Sequence, residues 1–213
     1  MTTPSIPRPA PTVIGRSTLV PGPKYTYDEL TIRSAAGKER RRTVVTHPGA
    51  VVVVPVLEDG RPVLIRNFRV AVETAGAWVL EFCAGTLDKP GEDPVACAGR
   101  ELIEETGYSA GAVIPLLRGP DGDHGWPSGA GYFYTTPGLT SERMYPFVAT
   151  RLTDVGQALE EDETIEIVVM TPAEAWAVVD AAGGGNGGSG RTLMDAKSIV
   201  ALTLATRRGF VRI

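Results

Sequence analysis

The chain has 213 residues, enough for one large domain or one domain with a small extension. Its 43% apolar and 22% charged residues are a globular composition, and no apolar run is long enough to cross a membrane. The net charge of −4 gives no support for nucleic-acid binding. The two cysteines, Cys83 and Cys97, cannot build a disulfide framework, and the N-terminus lacks an apolar leader, so a cytoplasmic chain with reduced thiols is expected.

In chain order, prolines at 4, 7, 9 and 11 make the first 15 residues read as an extended arm. Residues 25–33 and 40–46 alternate as strands, with 34–39 as their hairpin turn. The β-branched run 51–57 predicts a strand buried on both faces, with Pro55 discordant. Asp59-Gly60 marks a turn into a strand over 62–70, and 77–82 is a further strand. Asp93 as N-cap, Pro94 in the first turn and Gly107 at the end predict a helix over 94–106. Strands are expected near 112–117, 131–135, 144–151 and 164–170. Two helices close the chain, 172–181 capped by Thr171, and 195–208 carrying Ile199, Val200, Leu202 and Leu204. Gly185, Gly187 and Gly190 fit G-x-G-x-x-G by spacing, but they follow a helix rather than a strand and read as a flexible loop. The class is α+β, with a mixed sheet between helices.

Charge is distributed unevenly. Residues 1–50 hold eight Lys/Arg against three acids, 81–105 hold seven acids against two bases, and 154–166 hold six acids and no base. On the 94–106 helix, Glu101, Glu104 and Glu105 fall at i, i+3 and i+4 and share a face, repelling by about 0.2–0.5 kcal/mol per pair. They also sit at the end of the helix dipole that disfavours anions. Arg100 can offset Glu104 at i+4, and Ala96, Leu102 and Ile103 offer an apolar face. Three carboxylates stacked there call for a further cation, and oxygen-only ligands suit a hard ion, Mg²⁺ or Mn²⁺.

Residues 85–108 contain Gly85, six residues, Glu92, seven residues, then Arg100-Glu101-Leu102-Ile103-Glu104-Glu105-Thr106-Gly107-Tyr108. This resembles the Nudix box, G-x5-E-x7-R-E-U-x-E-E-x-G-U with U apolar. The single departure is one extra residue before Glu92, in a loop where insertions are tolerated. The resemblance implies an α/β/α sandwich and metal-dependent hydrolysis of a nucleoside diphosphate linked to another moiety. It makes Glu101 and Glu105 the main metal ligands, Glu104 a further ligand or catalytic partner, and Gly85, Glu92 and Arg100 structural supports.

The flanks resemble the ADP-ribose and nucleotide-sugar pyrophosphatase subgroup. Leu80-Glu81-Phe82-Cys83-Ala84-Gly85 is similar to its L-E-x-x-A-G, which adds the Ala84 carbonyl as a metal ligand and Glu81 as a substrate residue. Phe68-Arg69 is similar to its aromatic-Arg pair, which makes Arg69 a phosphate contact whose fork matches phosphate oxygens. Residues 136–143 resemble S-P-G-x-T-S-E and bring in Glu142, while a turn-rich insertion over 119–131 bears on the pocket's shape; its His124 and Trp126 read as ordinary loop residues in preference to contacts with a base or sugar. The acidic loop 159–165 resembles the source of the subgroup's general base, Glu161 or Glu163. Residues 1–46 form an arm and β segment expected to build a homodimer, and 47–213 the hydrolase domain. The implied reaction is ADP-ribose to AMP and ribose 5-phosphate. The alternatives are another nucleoside diphosphate sugar such as GDP-mannose, or a non-catalytic nucleotide-sugar-binding module, which the complete box disfavours. The partner is a small molecule, with neither nucleic acid nor membrane.

Overall fold

In a computed structural model, residues 9–75, 78–119, 128–159, 164–181 and 193–213 are described. The chain forms two units, Met1–Pro48 with Thr136–Glu142, and Gly49–Thr135 with Arg143–Ile213.

The first unit is an antiparallel sheet of β1 (Thr12–Val20), β2 (Thr26–Arg33) and β3 (Glu39–Thr46), in that order. The β2–β3 turn falls where expected, with Gly37 at φ +76° and its N–H donating to the Ser34 carbonyl at 2.9 Å. The expected arm is corrected: regular structure begins at Thr12, and β1 pairs with β2. All but one residue of β1 are exposed, so no in-out alternation announces it; the Pro-rich start drew the arm reading past Pro11. Asp28, at 2% exposure, ties the three strands together. Its Oδ2 accepts from Arg16 Nη1 and Thr46 Oγ1, each at 2.6 Å. The Thr46 hydroxyl leads the hydrogen bonds that hold this carboxyl down to about 2. The 136–142 segment lies along β3, Val45 N–H donating to the Leu139 carbonyl and Ser141 N–H to the Val45 carbonyl.

The second unit contains β4 (Ala50–Pro55), β5 (Val63–Phe68), a 3₁₀ turn (Val70–Ala75), β6 (Trp78–Glu81), β7 (Ala84–Thr86), α1 (Pro94–Thr106) and β8 (Tyr108–Pro115). It continues through β9 (Phe133–Tyr134), β10 (Arg143–Asp154), β11 (Ile165–Val169), α2 (Pro172–Ala181), β12 (Leu193–Met194) and α3 (Ala196–Arg207). One sheet runs β7-β4-β10-β8 with β9 on β10; the other runs β11-β5-β6-β12. The β4–β10 and β6–β12 pairs are parallel and the rest antiparallel, a mixed arrangement as expected.

Every residue of β4 is buried, as the β-branched run predicts. Val51 and Val53 pack with Cys97, Ala98 and Leu102 of α1, whereas Val52 and Val54 pack with Ala175 of α2 and Ala201, Leu202 and Ala205 of α3. Helices therefore cover both faces, and each buried valine contributes about 1.5–3 kcal/mol. The Asp59-Gly60 turn forms, with Gly60 at φ +86°, but the flanking strands share only the Val56–Pro62 bridge before entering different sheets. Pro55 and Pro62 lack the N–H groups that would extend a ladder there.

Two expectations for α1 and its neighbours need correction. The apolar part of its buried face is Cys97, Ala98 and Leu102; Ala96 is exposed and Ile103 half-buried. That stripe also holds Glu101 and Glu105, so apolarity alone selects the wrong face. The strand expected at 112 begins at Tyr108, immediately after the helix cap. Strands β7 and β12, of three and two residues, are too short to show alternation. No helix among the described residues is long and apolar enough to cross a membrane.

Candidate active site

The two ends of α1 are fixed by the local signals read from sequence. The Asp93 carboxylate accepts from Val95 N–H at 2.8 Å, and Gly107, at φ +72°, donates its N–H to the Ile103 carbonyl at 2.9 Å. So held, α1 lays its carboxylates against β7. Glu105 Oε2 accepts from Ala84 N–H at 2.8 Å, with Glu105 only 3% exposed. Glu101 lies over Gly85, where an added Cβ would sit 1.8 Å from the Glu101 carboxyl carbon. Glycine is required at 85 by this approach of a carboxylate to the backbone.

Arg100 is the local counter-charge. Its Nε and Nη2 meet the two Glu92 oxygens at 3.2 Å, and its Nη1 meets Glu101 Oε1 at 2.6 Å and Glu104 Oε2 at 2.8 Å. The pair expected from i,i+4 spacing is present, and the same guanidinium also serves Glu92 and Glu101. Burial opposes its charge, but these carboxylates outweigh that and raise its pKa. Cys83 lies in the same field: burial, then the charges of Glu105 and Glu101, push its thiol well up and keep it protonated.

The donor chemistry fits a hard divalent ion: carboxylate oxygens on α1 and the backbone at Ala84–Gly85, with Arg100 against Glu92, Glu101 and Glu104 among the described residues. Among the described residues no three His, Cys, Asp or Glu side chains converge as a ready ligand set, Glu101 and Glu104 being turned to Arg100. Glu101, Glu104, Glu105 and the Ala84 carbonyl are the groups here that could hold such an ion.

Arg69 and Glu81 are paired. Glu81 Oε1 and Oε2 accept from Arg69 Nε and Nη2 at 2.8 Å each. Glu81 is 1% exposed, whereas the Arg69 side chain is 44% exposed. Burial would raise the Glu81 carboxyl, but Arg69 and Lys197 hold it below the usual carboxylate range. The Glu81 hydrogen bonds, then the charges of Glu81, Glu105 and Asp195, hold Arg69 firmly protonated despite its burial. Sequence reasoning missed Lys197, which donates to Glu81 Oε2 and to Asp195, the N-cap of α3. The signal was available: a lysine in the first turn of a helix opposes the dipole and needs a compensating anion.

Glu142 lies in the first unit, 3.9 Å from His47 Nε2. Burial keeps the His47 imidazole below its ordinary value against the raising effect of Glu142. Glu161 and Glu163, His124 and Trp126, and the 185–190 glycines lie outside the described residues.

Comparison with known proteins follows the same lines. A family model described as the NUDIX domain matches residues 46–187. An ADP-ribose pyrophosphatase of Bacillus subtilis (strain 168) is 33% identical over 78% of this chain and 76% of its own length. A GDP-mannose pyrophosphatase of Yersinia pestis (strain Pestoides F) is 32% identical over 73% of this chain and 74% of its own. A solved structure of an ADP compounds hydrolase superposes with TM-score 0.70 at 23% identity, covering 96% of this chain and 98% of that one, a likeness of fold.

Proposed function

We propose, for a chain that belongs to the NUDIX family and is one of its pyrophosphohydrolases, that the substrate is ADP-ribose and the products AMP and ribose 5-phosphate. The coarser statement, a hydrolase of the ADP-ribose and nucleotide-sugar pyrophosphatase type, stands on the relatives themselves. The observation that carries the reading is the approach of Glu101 and Glu105 to the backbone at Ala84–Gly85, on a helix whose only base is Arg100.

In this reading Glu101, Glu104, Glu105 and the Ala84 carbonyl hold Mg²⁺ or Mn²⁺. When bound, such an ion supplies charge neutralisation at the pyrophosphate. Glu92 and Arg100 fix the orientation of the α1 carboxylates. Arg69 binds a phosphate through the outer edge of its fork, and Glu81 and Glu142 contribute to substrate binding. Glu161 or Glu163 takes the proton from the attacking water. The first unit serves a homodimer: β1 exposes Val13, Ile14, Leu19 and Val20, apolar area that a second copy would cover. The working compartment is the cytoplasm.

The test is a substrate panel with Mg²⁺, comprising ADP-ribose, GDP-mannose and UDP-glucose, with products identified. Preference for ADP-ribose that is abolished by EDTA is expected. Preference for GDP-mannose, which the Yersinia relative favours as second reading, would retain the site and overturn the substrate. No turnover with any of the three would overturn the catalytic reading.

A further inference from the structure

The last segment of the chain runs beside β6 and places one group after another against it. Leu193 and Met194 pair in parallel with Val79 and Leu80. Asp195 then caps α3, its Oδ1 accepting from Ser198 N–H at 3.1 Å. Ser198 Oγ accepts from Phe82 N–H at 2.9 Å, which pins the start of the helix to the end of β6. Between these anchors, Lys197 Nζ reaches Glu81 Oε2 at 2.5 Å. The four charged groups balance: Glu81 and Asp195 against Arg69 and Lys197.

Exposure is graded across this cluster. The Glu81 and Lys197 side chains are 1% and 13% exposed, and Arg69 is 44% exposed. Glu81 takes only the Nε and Nη2 edge of Arg69, and among the described residues Arg69 Nη1 has no hydrogen-bond partner. The guanidinium is therefore gripped from behind and presented at its outer edge. The grip depends on Glu81 remaining ionised and fixed in a dry position, and Lys197 supplies both conditions. It is a permanent second counter-charge, so Arg69 can turn part of its charge to an incoming anion without stranding a buried carboxylate.

We propose that Lys197 is a positioning residue for the phosphate contact of Arg69, acting through Glu81 and held in place by the Asp195 cap. This rests on the reading of Arg69 as a phosphate contact. The role predicts loss of ground-state binding of the anionic substrate more than loss of the chemical step.

The experiment is a double-mutant cycle of Lys197→Met and Arg69→Gln, with steady-state kinetics on ADP-ribose at saturating Mg²⁺. Lys197→Met is expected to raise KM about tenfold with kcat within about threefold of wild type. Arg69→Gln should raise KM at least as much, and the double variant should do no worse than Arg69→Gln alone. A KM for Lys197→Met within about twofold of wild type, or increases that multiply in the double variant, would overturn the proposal. An unchanged KM in Arg69→Gln would instead sink the phosphate reading of Arg69 and remove the premise. Should Lys197→Met fail to fold, Lys197→Gln, which removes the charge but retains a donor for Glu81, replaces it in the same cycle, with the same expected and overturning outcomes.

Discussion

The larger unit contains two charged clusters built on opposite principles. Around Arg100, a single guanidinium faces Glu92, Glu101 and Glu104 within 3.2 Å, with Glu105 buried beside them. Around Glu81, two acids meet two bases. The second cluster is complete as it stands, and its groups are held in one arrangement. The first gathers, among the described residues, several carboxylates around one guanidinium, three of them in the C-terminal half of a helix whose dipole disfavours anions there. On the reading proposed above, the difference separates a site that recruits a cation from a scaffold that aims a side chain.

Removing a carboxylate from the first cluster gives the largest expected effect. Glu105→Gln retains an acceptor for Ala84 N–H but loses the charge of a proposed metal ligand. It should lower kcat by about 10²–10³-fold at saturating Mg²⁺. Near-native turnover would break the distinction between the clusters.

The same kind of cut in the balanced cluster should act on stability. Lys197→Met leaves Glu81 and Asp195 with one base between them, and breaking a buried pair this way costs about 3–5 kcal/mol. Urea unfolding at neutral pH reads this directly. A loss under about 1 kcal/mol would mean that the lysine is dispensable to the scaffold.

Added divalent ion should discriminate the clusters in a third way. Binding at about one hundred times Kd stabilises by about 2.7 kcal/mol, a rise of about 5–10 °C in melting temperature for a chain of this size. Glu105→Gln should abolish most of that rise and Lys197→Met should leave it unchanged, both measured by calorimetry with and without Mg²⁺. An equal loss of the rise in both variants would merge the two clusters into one site.

How much of this was legible depends on how local the determinants are. The α1 boundaries were, because Asp93, Pro94 and Gly107 each act on their own turn. So was β4, because burial on both faces needs an unbroken apolar run. The carboxylate stack was visible as spacing. Its burial was not, since Glu101 and Glu105 occupy a face that apolarity would have assigned to Ala96 and Ile103. Strands β7 and β12 exist through pairing with β4 and β6, a non-local cause with no signature over two or three residues. Lys197 reaches Glu81 across 116 positions of sequence. Its unfavourable place in the first turn of α3 was the only local trace of that pairing.

The smallest effect is a pH dependence that separates acid from alkaline limbs. Glu81 has a folded pKa held below its ordinary 4.5, so the unfolded chain binds the proton more readily. Its contribution is full above that value and is lost as pH falls through the depressed folded value. Lys197 has a folded pKa raised above its ordinary 10.5, so its contribution is full below 10.5 and is lost as pH rises beyond it. Replacing Lys197 by Met removes one of the two cations that depress Glu81. Stability should then fall less steeply from pH 5 to 3 in the variant than in wild type, and the alkaline limb should flatten as well. Urea unfolding at several pH values gives both limbs. Parallel acid limbs would mean that Arg69 alone sets the ionisation of Glu81, and the balanced cluster would reduce to a pair.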